Sequence, residues 1–160
     1  MMPLIAVVSL LLGSSGARAA PVEPVIERLS NGIEVAWFES QRLPLFDLVY
    51  VSRTGSKHDP LGRSGALELY AATLPRGAAG RNAQAIARSL ERLGSGLDIR
   101  VGEDFSMVGV HGLTEDMDAI ASTWVEILLR PDFPAKELER ERARLMERWT
   151  HLPDSTESLA

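Results

Sequence analysis

The stretch GRSGALELYAATLPRG, residues 62–77, is where the chain stops reading as extended segments and starts reading as helix. Leu67, Tyr70, Ala71 and Leu74 fall at i, i+3, i+4 and i+7. That spacing predicts one face of a helix that starts at Ala66 and that Pro75 closes. The same stretch holds no histidine and no cysteine. The residues before it have the period of strands, and those after it alternate helix, strand and helix.

On the N-terminal side, VIERLSNGIEVAWFES (residues 25–40) gives two extended runs around Asn31-Gly32, a strong short-range hairpin signal. Pro44 breaks the chain, and LFDLVYVS (Leu45–Ser52) predicts a third strand. RTGSKHDPLGRSG, residues 53–65, is loop by composition. On the C-terminal side, NAQAIARSLERLG predicts a helix capped by Asn82, with Ile86, Leu90 and Leu93 as its buried stripe and Gly94 just past its end.

GLDIRV and FSMVGVHGL read as two more strands. Thr114 is expected to cap a longer helix through Ile120, Trp124, Ile127 and Leu128, stopped by Pro131. AKELERERARLMERW, residues 135–149, is the last helix. The pairs Glu137–Arg140, Glu139–Arg142 and Glu141–Arg144 predict a solvated face, with Leu138, Leu145 and Trp149 on the other. The order is three strands, two helices, two strands and two helices. The class is therefore α+β, an antiparallel sheet with helices packed on one face.

Bulk composition fits one ordinary globular domain: 160 residues, 45% hydrophobic, 24% charged, net charge −5. No basic patch is large enough to follow a phosphate backbone, which argues against nucleic acid as a partner. The absence of cysteine excludes disulfides and thiol catalysis.

PLIAVVSLLL (Pro3–Leu12) is an apolar run too short to span a bilayer, followed by small residues and Ala-Arg-Ala. Residues 1–19 therefore read as a secretory signal peptide, cleaved between Ala19 and Ala20. Export without cysteine points to a periplasmic or secreted protein, with no stable membrane span after signal removal. At the other end, DSTE (Asp154–Glu157) has the form of a capping box. It opens a helix needing several more residues, so residues 20–160 are expected to be the N-terminal portion of an incomplete domain.

LSNGIEVAWFES followed by Pro44 resembles the opening of the insulinase/pitrilysin-type zinc metallopeptidases, which include the mitochondrial processing peptidase. So do GSKHDPLGRSGAL, GSGLDIRVGEDFSMVGVHGLTEDMDAI and LLRPDFPAKELERERARLMER, in order and spacing over about residues 26–160. The resemblance implies a half-barrel domain of processing-peptidase type, with further strands beyond residue 160 and hence an exposed sheet edge.

Active members of that family carry H-x-x-E-H on the helix after the third strand. Two imidazoles at i and i+4 share a helical face and reach one zinc, and the glutamate between them activates its bound water. Anchored on Gly65, the resemblance puts the first histidine position at Glu68, the base at Ala71 and the second histidine at Ala72. The third ligand, a glutamate about 75 residues on, falls at Glu147. Three of the four functional side chains are missing, and only Glu147 is retained. Alanine offers no lone pair, so no catalytic residue, no metal and no cofactor are expected here, in contrast to the zinc of active members.

Nothing else in the chain rebuilds a site. His58 lies in a loop beside Asp59, His111 in a strand and His151 after the last helix, none at i, i+4 from another. Glu68 and Glu147 read as a solvated pair rather than a weak cation site. Ser64 and Ser106 lack a local base for nucleophilic catalysis. Trp124 and Trp149 read as core.

The function implied by the resemblance is that of a non-catalytic subunit. It would pair with an active H-x-x-E-H subunit, complete a chamber and grip unfolded peptide substrates at an exposed strand edge. The alternatives are a zinc-dependent endopeptidase with a non-standard site, or a purely structural assembly subunit.

Overall fold

The computed structural model describes residues 5–7, 23–40 and 42–151. A six-stranded sheet holds β1 (Ile5–Val7), β2 (Val25–Arg28), β3 (Glu34–Trp37), β4 (Leu45–Ser52), β7 (Leu97–Val101) and β8 (Ser106–Leu113). Their spatial order is β2-β3-β1-β4-β8-β7, and every pairing is antiparallel except β1 with β3. The helices are α1 (Ala66–Thr73), α2 (Ala83–Glu91), α3 (Met117–Leu129) and α4 (Ala135–His151). A two-residue ribbon, β5 (Gly77–Ala78) with β6 (Arg81–Asn82), joins α1 to α2. The expected α+β class, with helices on one sheet face, is what forms.

The long β4–β8 ladder decides the layering, running from Leu45↔Leu113 to Ser52↔Ser106. Strand alternation then sends Phe46, Leu48, Val108 and Val110 to one face and Asp47, Val49, Met107 and His111 to the other. The first set meets the helices. Phe46, Val110, Leu90 and Ile120 form one buried cluster. Val108, Leu74, Ile86 and Ile127 form another. Trp124 bridges both, its indole Nε1–H donating to the Val108 carbonyl at 3.2 Å. Burial of each such aliphatic side chain contributes about 1.5–3 kcal/mol against the conformational entropy of ordering the chain.

Several local expectations hold and several shift. Asn82 caps α2, its side chain accepting from the Ala85 N–H at 2.9 Å. The hairpin at Asn31-Gly32 is wider than a two-residue turn. Leu29 and Ile33 close it through Leu29 N–H to Ile33 C=O at 2.8 Å, with Gly32 left-handed at φ 86°. The cause is register, since Arg28 pairs with Glu34 and the chain between them forms the tip.

Thr114 does not cap α3. Its N–H donates to the Pro44 carbonyl, extending the β4–β8 ladder, and a 3-10 turn over Thr114–Asp116 precedes the helix. Pro75 does not end the helical path at once, because a 3-10 turn over Leu74–Arg76 continues it. The stripe expected on α1 is also displaced. Thr73 and Leu74 are wholly buried, whereas Tyr70 is 44% exposed against Phe133. α1 touches β7 on one side and α4 on another, so no single stripe describes it.

β1 falls inside the segment expected to be a signal peptide, and it separates β3 from β4. The expected cleavage point at Ala19 and Ala20, and the capping box at Asp154–Glu157, lie outside the described residues. Among the described residues no helix is long and apolar enough to cross a membrane.

Candidate functional site

The helix that should carry the chemistry is built from its own N-terminus. Gly65 enters it at φ +86°, a left-handed conformation that glycine adopts without strain. The Asp59 carboxylate then accepts from the Gly65 N–H at 2.6 Å and the Leu67 N–H at 2.9 Å. This caps two of the donors a helix start leaves free, and places an anion at the positive end of the helix dipole. Asp59 was not legible as a cap, because it acts from six and eight residues upstream.

α4 lies against α1, and its contact face repeats at helical spacing through Glu141, Leu145 and Arg148. Two ion pairs join the helices at opposite ends of α1. Near its start, Arg148 Nη2 donates to Glu68 Oε2 at 3.3 Å. Just past its end, Arg76 Nη2 reaches Glu141 Oε1 at 3.0 Å. Glu141 is only 5% exposed, so the expected solvated face has a buried carboxylate in it. Arg144 approaches the same oxygen at 3.5 Å. The other expected pairs, Glu137–Arg140 at 2.8 Å and Glu139–Arg142 at 3.6 Å, form on the surface.

Between α1, α4 and β7 runs an open groove of about 490 Å³. Glu68, Ala71 and Ala72 form one wall, Leu97 and Ile99 of β7 another, and Arg148 the third. Three of the positions the resemblance singled out therefore come together. The fourth does not. Glu147 is exposed on α4 and does not line the groove, while its neighbour Arg148 does. Successive helical residues differ in direction by about 100°, so one step in register exchanges a carboxylate for a guanidinium.

This donor set does not fit a zinc ion. Two alanines supply no ligand, one carboxylate is engaged by arginine, and that arginine is a permanent cation. Among the described residues no three histidine, aspartate or glutamate side chains converge as a metal cluster would.

The histidines belong to other parts of the fold. His58 Nδ1 accepts from the Gly55 N–H at 3.2 Å within a 3-10 turn. His111 stands across the ladder from Asp47 on the sheet face opposite the helices. Burial pushes the Asp47 carboxyl up, and the charge of His111 partly offsets it. His151 is the last residue of α4. Trp149, expected in the core, instead sits at the surface with its ring packed on Gly65. With Leu69 and Met146 it lines a second open cavity of about 450 Å³ between α4 and the α1 entry loop.

β7 ends the sheet, and no described strand pairs with its outer edge. Leu97, Asp98, Ile99 and Val101 of this strand line the groove, and Asp98 pairs with Arg100 at 2.9 Å. Chemically the site offers an extended apolar edge, the Glu68–Arg148 ion pair and alanine at positions 71 and 72.

No family model matches the sequence, and no curated protein matches it. Solved structures do. The chain is similar to a peptidase M16 inactive domain from Pseudomonas fluorescens, at 25% identity and TM-score 0.75, over 81% of this chain and 32% of that one. It is also similar to a protease from Helicobacter pylori, at 15% identity and TM-score 0.73, over 80% of this chain and 31% of that one. The chain thus spans about a third of the length of these neighbours, and its fold is that of an M16-type peptidase domain.

Proposed function

We propose that this chain is a non-catalytic homologue of a zinc metallopeptidase that holds extended peptides in the groove along β7. One observation carries the reading. The positions for the base and the second ligand on α1 are Ala71 and Ala72, and both line that groove. The Pseudomonas fluorescens neighbour, described as inactive, supports it. A peptide added to the free edge of β7 would satisfy backbone hydrogen bonds there, and Leu97 and Ile99 would set side-chain preference.

The chain then works with a catalytic subunit that carries H-x-x-E-H, the two enclosing a chamber for unfolded peptide substrates. Its place is the periplasm or the extracellular space, a reading that rests on residues 1–19 being a signal peptide. It needs no cofactor, and nucleic acid is not among its partners.

The test joins binding to turnover. A fluorescently labelled unfolded peptide binds the purified chain, and Ile99→Lys weakens binding about tenfold, as expected for burying a charge against the edge. A quenched peptide is not cleaved by the chain alone with zinc added, and is cleaved faster when an H-x-x-E-H subunit is supplied. Cleavage by the chain alone that a chelator abolishes would overturn the reading. A chain that binds no peptide in either assay is a structural subunit instead.

A further inference from the structure

We propose that Arg148 stands in for the metal, its guanidinium acting as a built-in cation that neutralises Glu68, ties α4 to α1 and bars a divalent ion from the groove. The residues implied for zinc do not fit it, and a guanidinium lies where they converge. Arg148 lines the groove with Ala71 and Ala72, and its Nη2 is 3.3 Å from Glu68 Oε2. Glu68 is the one group at the expected ligand positions on α1 that still carries charge, and the guanidinium meets it there.

The exchange is chemically coherent. A metal bound by two helices joins them and balances their carboxylates, and an arginine paired with Glu68 does both without a ligand. Guanidinium stays protonated at any accessible pH, so the cation cannot be lost. It also repels a second cation, and more strongly beside a low-dielectric helix face than in open water. Arg76, just past the end of α1, makes a second rung to Glu141 of α4 at 3.0 Å, so protein side chains alone tie this contact at both ends. Glu147 lies outside the groove and cannot restore the site.

This assignment concerns what fills the groove's charged end, and it stands or falls apart from peptide binding. Zinc is titrated calorimetrically into three full-length chains: the wild type, Glu68→His/Ala72→His, and Glu68→His/Ala72→His/Arg148→Glu. The triple variant is expected to bind zinc roughly 100-fold or more tightly than the double variant, because a carboxylate replaces the repelling cation. Equal affinities, or double-variant binding that disappears with Glu147→Ala, would overturn the proposal.

A second measurement does not depend on the variants loading metal. Glu68→Arg and Arg148→Glu each lower the melting temperature, and the swapped double variant recovers most of the loss. A swap no better than the worse single change shows that the two side chains do not make the pair, and the proposal fails.

Discussion

Gly65 and Trp149 meet where α1 begins and α4 ends: a Cβ at position 65 would stand 2.7 Å from the Trp149 Cη2 atom. The contact couples a backbone requirement to a packing one, since Gly65 is also left-handed. Gly65→Ala should therefore destabilise by about 1–3 kcal/mol in urea unfolding, from strain and overpacking together. Adding Trp149→Leu should recover part of that loss, leaving the backbone share. Full recovery would show that only the clash matters.

Asp59 holds the first turn of α1 through two backbone N–H groups. Asp59→Ala should cost about 1–2 kcal/mol, the range for losing a helix cap. Hydrogen exchange at Gly65 and Leu67 should accelerate more than exchange in α3. Uniform acceleration would mean that the carboxylate acts on global stability instead.

Glu141 is a buried carboxylate answered by Arg76. Glu141→Ala should cost about 3 kcal/mol, because it leaves a partly buried guanidinium without its partner. Replacing both residues, Arg76→Met with Glu141→Met, should restore most of the stability. Thermal melts of the three variants decide this.

Asp47 supplies a pH dependence. Burial raises its folded-state pKa above the ordinary value of 3.8, with His111 partly opposing. The folded state therefore keeps a proton that the unfolded state has already released. Stability from this group is present below that ordinary value and is lost as pH rises through the folded-state pKa. Asp47→Asn should melt higher than the wild type at pH 7, and the gap should close in acid. A gap that widens in acid would contradict the sign.

Ile5–Val7 pairs with both β3 and β4. If processing removes residues 1–19, the amides of Val35 and of Val49–Val51 on the facing strands should exchange faster than in the precursor. Unchanged protection would mean that β3 and β4 are held without β1.

The α+β order was legible because it rests on local periods. Asn82 capping α2 and the surface pairs on α4 join residues close in sequence, and the strands Leu45–Ser52 and Leu97–Val101 carry their own local period. The local propensities of those segments agree with the fold they enter. Two of the failures have a cause far away in sequence. Thr114 fits a cap by type, but its N–H is taken by Pro44, a partner distant in sequence. Glu141 fits a solvated pair with Arg144, but Arg76 draws it into the α1–α4 interface.

The sequence by itself determined most of the helices and strands and the α+β class, and alanine at positions 71 and 72. The elements and the class follow from spacings of two to four residues, and the two alanines stand at the base and second-ligand positions that the family resemblance implies. Tertiary structure alone decided that Arg148, one step from Glu147 on the helix, faces Glu68. That choice depends on how α4 is rotated against α1, which the buried Glu141 and the Trp149 contact set across long separations. A rotation of one residue is invisible in a pattern of charges, and here it separates a ligand from a cation.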